Sequence, residues 1–231
     1  MYELLVRVMQ EHDADISHCG YKRFNNQGEL VREVTGTHQL IIQDGEEAIA
    51  CMLRGEYFSN ALWNKLFRKQ VVHDIRFQES LKNNEDVLFN VHAFSRAKTA
   101  VFQDEGKYHY YDRPTSACNR LKARKQIQDA IEASMQMLPL VSAPETTVAV
   151  YQRIYESRVN QLRWLVQNPD SATPGEIKAE KAQLEQAWQK LSVHTRRQKI
   201  NHLLLTRTPL LYRLIYRAYD ACRTPNWDAK G

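Results

Sequence analysis

The sequence predicts an α/β part over residues 1–119 and an all-helical extension over residues 120–231. Runs rich in β-branched and aromatic residues, bounded by turn signals, occur only before Asn119 and are typical of strands. After Asn119, apolar residues recur at helical spacing and several helix-start signals are present. A chain of 231 residues is long enough to bury a sizeable core, so it can hold one or two domains.

The α/β part is predicted to open with an amphipathic helix, because its apolar residues fall at helical spacing: Met1, Leu4, Leu5, Val8 and Met9. Strand-like runs follow, with a turn between the first two: residues 14–24, 30–34, 97–103 and 107–111. Between the second and the third run, Asp44 and Glu47 form a capping-box-like helix start, and Gly55 ends that helix. The predicted sheet therefore stops before Asn119.

The extension is predicted to contain successive helices. Residues 146–167 have apolar side chains at helical spacing, and the Asn-Pro pair that follows ends this helix. A cap residue, a proline at the first helical position and a glutamate three residues after the cap begin the next helix: Thr173, Pro174 and Glu176. This helix is predicted to run toward Leu205, and a last helix starts after Thr208.

The composition is that of an ordinary soluble globular protein, with 43% hydrophobic and 26% charged residues. The four cysteines lie far apart and form no Cys-x-x-Cys pair, which argues against a zinc site or a disulfide framework: Cys19, Cys51, Cys118 and Cys222. The first residues lack the basic and apolar regions of a signal peptide, and no apolar run reaches the roughly 20 residues that span a bilayer. These observations predict a cytoplasmic protein with free thiols.

Three short elements occur in order within residues 59–119. A tryptophan-asparagine-lysine element comes first, two adjacent carboxylates then open an amphipathic helix, and a tyrosine-rich run ends the series. Their residues are Trp63-Asn64-Lys65-Leu66-Phe67, Asn83-Asn84-Glu85-Asp86 and Tyr108-His109-Tyr110-Tyr111, the last followed by Arg113 and Ser116. No single element is specific, but the three together in this order and spacing are informative.

This ordered set resembles the acceptor-side half of a family-two glycosyltransferase, an inverting enzyme of the GT-A type. The resemblance covers roughly residues 1–119 and implies a partial GT-A (Rossmann-like) sheet. It implies that Asp86 is the general base, which takes the proton of the acceptor hydroxyl as its oxygen attacks the anomeric carbon. Glu85 would orient the acceptor or its partner residues.

The two carboxylates also have a structural interpretation, because acids are common in the first turn of a helix. The helix dipole stabilises such acids as anions, which keeps Asp86 ionised but makes it a weak base unless the pocket is dry. The flanking elements favour the catalytic interpretation of Glu85 and Asp86.

On the acceptor side, Trp63 offers an apolar platform on which a sugar or aglycone ring could stack. Its structural alternative is a core or half-buried aromatic residue. Asn64 and Lys65 are candidates for binding acceptor hydroxyls or phosphate, and the alternative is that both are simply solvated.

On the donor side, the resemblance places His109, Arg113 and Ser116 where the sheet ends near the nucleotide diphosphate. Arg113 suits a phosphate charge, because a guanidinium group matches the geometry of phosphate oxygens. His109 is interpreted as a metal or diphosphate contact or, alternatively, as an ordinary strand histidine.

Members of that family hold a divalent metal, manganese or magnesium, and the nucleotide sugar with an Asp-x-Asp that follows a strand. No such element occurs here, so we expect the nucleotide-binding half to lie outside this sequence and predict no metal site within it. The string Asp13-Ala14-Asp15 follows a helix and leads into a strand, so it is predicted to be a turn. Without the charge neutralisation that a metal supplies, the 231 residues alone are expected to be inactive.

The C-terminal part concentrates the excess positive charge of the chain, which is +5 overall. From Arg196 to Arg223 there are seven Lys and Arg residues and one acid. On the last helix an apolar face is flanked by tyrosines: Leu210, Leu211, Leu214, Ile215 and Ala218, with Tyr212, Tyr216 and Tyr219 beside them. This pattern predicts a helix over 203–223 in the headgroup layer of an anionic membrane. The alternative is that its leucines pack on the rest of the extension. No module for nucleic acid is recognised.

We therefore interpret the sequence as the C-terminal portion of a cytoplasmic glycosyltransferase at the inner face of the membrane. It would transfer sugar from a nucleotide sugar to a glycan or lipid-linked acceptor in cell-surface polysaccharide synthesis. The alternative is a non-catalytic truncated or split-enzyme partner that acts through protein or membrane contacts. Glu85 and Asp86 are expected to face one open concavity with Trp63 and Arg113. A bare sheet edge would favour self-association or a covering partner.

Overall fold

The computed structural model describes residues 1–33, 36–112 and 123–222. They belong to two compact units, residues 1–153 and the residues from 154 onward. The sheet lies in the first unit, together with helical residues beyond the predicted boundary at residue 120. The division of the chain into an acceptor-side domain and a separate extension stays a prediction.

The first unit alternates strands and helices. Its strands are β1 (Ile16–Phe24), β2 (Leu30–Glu33), β3 (Leu40–Gln43), β4 (Lys65–Phe67) and β5 (Ala100–Tyr111). Its helices are α1 (Tyr2–Glu11), α2 (Gly45–Arg54), α3 (Lys69–Val72), α4 (Glu85–Phe94) and α5 (Ala123–Met137), followed by α6 (Pro144–Gln167), which continues into the second unit. A short 3₁₀ helix, Leu138–Leu140, joins α5 to the segment before α6.

The sheet is mixed, and β1 lies in its interior. The strand order is β2-β1-β5-β3, with β1 and β5 parallel and the other pairs antiparallel, and β4 pairs with the first residues of β1. The two predicted strand runs at residues 97–103 and 107–111 form the single strand β5, because pairing with β1 resumes after a bulge before Gly106. The short strands β3 and β4 were not predicted.

Helix α1 covers one face of the sheet. Its apolar residues pack with residues of β1, β5 and the turn before β1 in one buried cluster: Leu4, Leu5, Val8, Ala14, Cys19 and Val101. Helix α2 begins with the predicted capping box, in which the Asp44 side chain accepts from the Glu47 N–H, and it ends at Gly55 in the left-handed conformation (φ 72°). Cys19 and Cys51 are buried free thiols.

Gly45, the first residue of α2, packs against the end of α4. A Cβ atom there would lie 1.9 Å from the Phe94 carbonyl oxygen and 2.6 Å from the Ala97 carbonyl oxygen. Both atoms are backbone, so they cannot move aside as a flexible side chain would. The approach of α2 to α4 therefore requires glycine at this position.

We expect Gly45→Ala to lower the free energy of unfolding by about 3 kcal/mol, because overpacking of a tight site typically costs that much. The matched control is Gly175→Ala, where the nearest atom to a new Cβ lies at 3.9 Å. The control should change stability by less than about 1 kcal/mol. Urea-induced unfolding measures both variants, and wild-type stability of Gly45→Ala would contradict the packing described.

The second unit is helical. After α6, a 3₁₀ helix (Pro169–Ser171) precedes α7 (Pro174–Gln189), α8 (Arg196–Arg207) and α9 (Pro209–Cys222). The single long helix predicted from Thr173 toward Leu205 is wrong, because α7 ends at Gln189 and a second capping box starts α8 at Thr195. Among the described residues, no helix is both long and apolar enough to cross a bilayer.

Candidate functional site

A cavity of about 380 Å³ lies beside β1, the end of α2 and the loop that leads to β4. Its walls are mostly aromatic and small residues, with a few polar groups among them. The lining residues include His18, Tyr21, Ser59, Asn60, Trp63 and Asn64. A space of this size suits a small ring-shaped ligand such as a sugar residue.

The buried polar group at this cavity is a histidine-asparagine pair. The Asn64 amide nitrogen lies 2.7 Å from His18 Nε2 and 2.7 Å from the carbonyl oxygen of Cys19. Because one amide hydrogen goes to each acceptor, His18 Nε2 accepts, and the neutral ring carries its proton on Nδ1. Burial, with the nearby charge of Lys65, lowers the pKa of His18 well below its usual value, which agrees with a neutral ring.

Lys65 is buried beneath the loop that carries Trp63. Its Nζ donates to the carbonyl oxygen of Ser59 at 2.6 Å and to that of Ala61. Burial lowers the pKa of Lys65 to about 7, although the negative charge of Asp86 acts in the opposite direction. The loop is thus held from below by a lysine whose charge is sensitive to pH near neutrality.

Asp86 lies in the first turn of α4, as predicted. Asn84, the residue before the first residue of α4, has a left-handed backbone (φ 66°). Its side-chain oxygen accepts a hydrogen bond from Arg153. Burial raises the pKa of Asp86, and the Val87 N–H and the positive charges of Lys65 and Arg153 partly offset this effect. A raised pKa makes Asp86 a stronger base than an exposed aspartate. This effect opposes the helix dipole, which by itself would lower the pKa and make Asp86 a weaker base.

Helix α4 is tied to the Trp63 loop. Asn90, one helical turn after Asp86, is fully buried, and its amide nitrogen donates to the carbonyl oxygen of Asn60 at 2.6 Å. The charges of Lys65 and Asp86 also interact. The structure therefore brings the carboxylate helix and the tryptophan loop together, as the sequence predicted.

Trp63 is half-buried in an aromatic cluster. Its ring stacks on Tyr108 with the centroids 4.1 Å apart, lies 5.5 Å from Tyr110, and meets Tyr21 edge-on at 5.0 Å. Trp63 lines the cavity, but Glu85 and Asp86 are not among its lining residues. That both carboxylates face one open concavity with Trp63 and Arg113 therefore stays a prediction.

Asn64 and Lys65 are interior residues, with 0% and 6% exposure. The solvated alternative is therefore wrong for both. The amide hydrogens of Asn64 are used within the protein, and Lys65 holds two loop carbonyls. This placement favours a role in holding Trp63 in position, and direct contact with an acceptor stays a prediction.

His109 lies on the other face of the strand from Tyr108 and Tyr110. Side chains alternate along a strand, and His109 accordingly packs at 5.0 Å from Phe24, whereas Tyr108 and Tyr110 pack on Trp63. The structure does not bring His109 to the Trp63 face of the sheet. The diphosphate roles stay predictions for all three residues, and Arg113 and Ser116 lie outside the described residues.

Asp13 and Asp15 belong to the turn between α1 and β1. Asp13 has a positive φ of 46° and accepts from Arg68 at 2.6 Å, and Asp15 accepts from the Lys98 N–H at 2.7 Å. Both carboxylates thus hold this turn together, as the sequence indicated. In the described parts of the chain, no group of three His, Cys, Asp or Glu side chains could hold a metal ion.

His18, Tyr21 and Asn90 were not predicted as site residues. Asn90 carried a usable signal, because it lies four residues after Asp86 and therefore on the same side of α4. His18 contacts Asn64 and Tyr21 contacts Trp63, both more than 40 positions away, so the sequence holds no local signal for them.

No protein-family model matches the sequence, and comparison with curated proteins finds no match. Among solved structures, the chain is similar to S. aureus TarS 1–349 in complex with UDP-GlcNAc, with a TM-score of 0.57 and 15% sequence identity. The similarity covers 97% of this chain and 64% of that chain, so this chain spans less than two thirds of the TarS structure.

At 15% identity the similarity establishes the fold alone. TarS is a glycosyltransferase, and this chain has a glycosyltransferase-like fold. The predicted partial α/β glycosyltransferase fold with a helical C-terminal part is confirmed. Membership of family two and the GT-A type stay predictions.

Proposed function

We propose that this chain is the acceptor-side part of an inverting glycosyltransferase that uses a nucleotide sugar. The observation that carries the proposal is the similarity to a glycosyltransferase bound to UDP-GlcNAc over 97% of this chain. The half-buried Asp86 at the start of α4 supports it, because its raised pKa suits a general base.

In the proposed reaction the acceptor hydroxyl oxygen forms a bond to the anomeric carbon of the donor. The bond from that carbon to the diphosphate breaks, and the nucleoside diphosphate leaves with the bonding electrons. Asp86 takes the hydroxyl proton, and the configuration at the anomeric carbon inverts. Glu85 orients the acceptor, and Trp63, held by Asn64 and Lys65, stacks on an acceptor ring. The acceptor is a glycan or a lipid-linked sugar of cell-surface polysaccharide synthesis.

A divalent metal is expected for full-length members of the family that the sequence resembles. In the described part of this chain, no group of His, Cys, Asp and Glu residues could hold such a metal. No step of the proposed reaction is therefore assigned to manganese or magnesium held by these residues. The donor-side contacts that we propose for this chain are Arg113 and Ser116, toward the diphosphate. His109, on the other face of β5 from Trp63, is not part of this proposal.

Saturation-transfer NMR tests the proposal with UDP-GlcNAc, UDP-glucose and UDP-galactose, and with a panel of defined oligosaccharides as acceptors. We expect transfer of saturation to at least one acceptor ring. Trp63→Ala should weaken that binding about tenfold or more, because a tryptophan in a desolvated pocket is often a binding hot spot. Trp63→Phe should keep much of the affinity.

The control variant is Tyr2→Ala, which removes an exposed aromatic ring of α1 away from the cavity. It should bind acceptors like the wild type. Absence of binding to every nucleotide sugar and every oligosaccharide would favour the alternative, a non-catalytic partner protein. Equal binding by Trp63→Ala and the wild type would remove Trp63 from the acceptor site.

A further inference from the structure

Helices α8 and α9, which pack on each other, expose six large apolar side chains, and we name these exposed parts of the two helices the α8–α9 surface. On α9 the exposure is high, with Leu210 at 75% and Leu214 at 66%. The full apolar set is Ile200, Leu203, Leu210, Leu211, Leu214 and Ile215. Leu210, Leu211, Leu214 and Ile215 recur at helical spacing, so on α9 they form one exposed apolar face rather than scattered residues, and such a face indicates a binding surface.

The tyrosines of α9 explain why its leucines point outward. Tyr212 is buried, and its hydroxyl accepts a hydrogen bond from Arg163 Nε of α6 at 2.8 Å. The Arg163 guanidinium also lies 5.6 Å from the ring centre of Tyr216. Helix α9 is therefore attached to α6 through its tyrosine face. The predicted flanking position of Tyr212 at a membrane interface is wrong, and so is the alternative in which the leucines pack on the extension.

The same two helices are cationic. Five exposed basic residues lie on α8 and α9: Arg196, Arg197, Lys199, Arg207 and Arg217. Between residues 194 and 218 the sequence contains no Asp or Glu. Positive charge around exposed leucines matches a ligand that is apolar inside and anionic at its surface.

We propose that the α8–α9 surface binds the surface of an anionic lipid bilayer. The leucines enter the boundary between headgroups and acyl chains, and the arginines and the lysine meet lipid phosphates. A second copy of the chain is a poorer occupant, because a two-fold contact would bring two like-charged surfaces together. Lipid binding by this surface does not depend on the proposed transferase activity.

Flotation with vesicles tests the proposal. The probes are pure phosphatidylcholine vesicles and mixed phosphatidylcholine–phosphatidylglycerol vesicles. We expect the chain to float with the mixed vesicles, to bind the neutral vesicles at least tenfold more weakly, and to be released as salt is raised. Equal binding to both compositions, or to neither, would overturn the proposal.

Two variants separate the apolar and the charged contributions. Leu210→Gln with Leu214→Gln should weaken binding at least tenfold, because each removes an apolar side chain that the bilayer would bury. Arg207→Gln with Arg217→Gln should weaken it about fivefold for each arginine, the equivalent of about 1 kcal/mol per charge. The matched control, Leu30→Gln with Val31→Gln, removes exposed apolar side chains of β2 and should leave lipid binding unchanged.

Circular dichroism shows whether each variant keeps its helices. Light scattering after gel filtration tests the second copy as occupant. A wild-type dimer that becomes a monomer in Leu210→Gln with Leu214→Gln, without lipid binding, would overturn the proposal in favour of self-association. Lipid binding that survives both double variants would also overturn it.

Discussion

Asp86→Asn should lower the rate of sugar transfer by about 10²- to 10⁴-fold, the usual loss when a general base is removed. The amide keeps the shape of the carboxylate but cannot take the acceptor proton. Donor affinity should stay nearly unchanged, because the variant removes no predicted donor contact. The measurement is release of the nucleoside diphosphate by any preparation of this protein that transfers sugar.

The pH profile adds a second readout to this prediction. Burial raises the pKa of Asp86, so the rate should fall on the acid side at a higher pH than an ordinary aspartate would give. Asp13→Asn is the control, because Asp13 is an exposed carboxylate in the α1–β1 turn. It should leave both the rate and its metal dependence unchanged. A near-wild-type rate for Asp86→Asn would remove Asp86 from the mechanism.

Lys65→Met should abolish a strong pH dependence of stability above neutrality. The pKa of Lys65 falls from 10.5 to about 7 on burial. Between these values the unfolded chain binds the proton and the folded chain does not, so the free energy of unfolding rises with pH. This gain in the free energy of unfolding is fully present above the unfolded pKa of Lys65. It is lost as the pH falls through the folded pKa. The shift corresponds to about 5 kcal/mol across this window.

Urea-induced unfolding of the wild type and the variant, from about pH 7 to about pH 10, measures this effect. The difference between their free energies of unfolding should change by several kcal/mol, with the wild type gaining as the pH rises. Lys69→Met is the control, since Lys69 is an exposed lysine on α3. Its difference from the wild type should be flat. A flat difference for Lys65→Met as well would show that Lys65 is not held in a dry site.

Changes at Lys65 should also reach Asp86. The positive charge of Lys65 lowers the pKa of Asp86. This lowering effect weakens as Lys65 loses its proton near neutral pH. The proposed general base, Asp86, and the support of the Trp63 loop are thus linked through the charge of Lys65. We therefore expect Lys65 to affect the proposed reaction without direct contact to an acceptor.

Helix starts were predictable because their chemistry is local. At Thr173 the side chain and the N–H of Glu176 lie three residues apart, so the sequence shows both partners of the capping box. The same holds for Asp44 and Glu47. The break before α8 was not predicted, although Thr195 and Gln198 form the same kind of box.

The sequence indicated that two segments of the candidate site meet, but it did not indicate the arrangement of the cavity. The order of Trp63, Glu85 and Asp86 along the chain indicated that these elements meet, and the Asn90–Asn60 bond joins their segments. The cavity, however, takes its polar group from His18, which lies 46 residues from Asn64. Pairing over such a distance depends on how the strands assemble, which no local pattern encodes.

By itself, the sequence determined the α/β character of the first part, the helical character of the rest, and the start of α4 at the two carboxylates. These features depend on periodicity and capping, which act between residues that are close along the chain. Only the tertiary structure decided which face each side chain occupies. It placed His109 on the other face of β5 from Trp63, and it buried Asn64 and Lys65. It also directed Tyr212 toward α6, so that the leucines of α9 face outward. Burial and charge coupling arise only when distant segments pack, and they set the pKa values of Lys65 and Asp86.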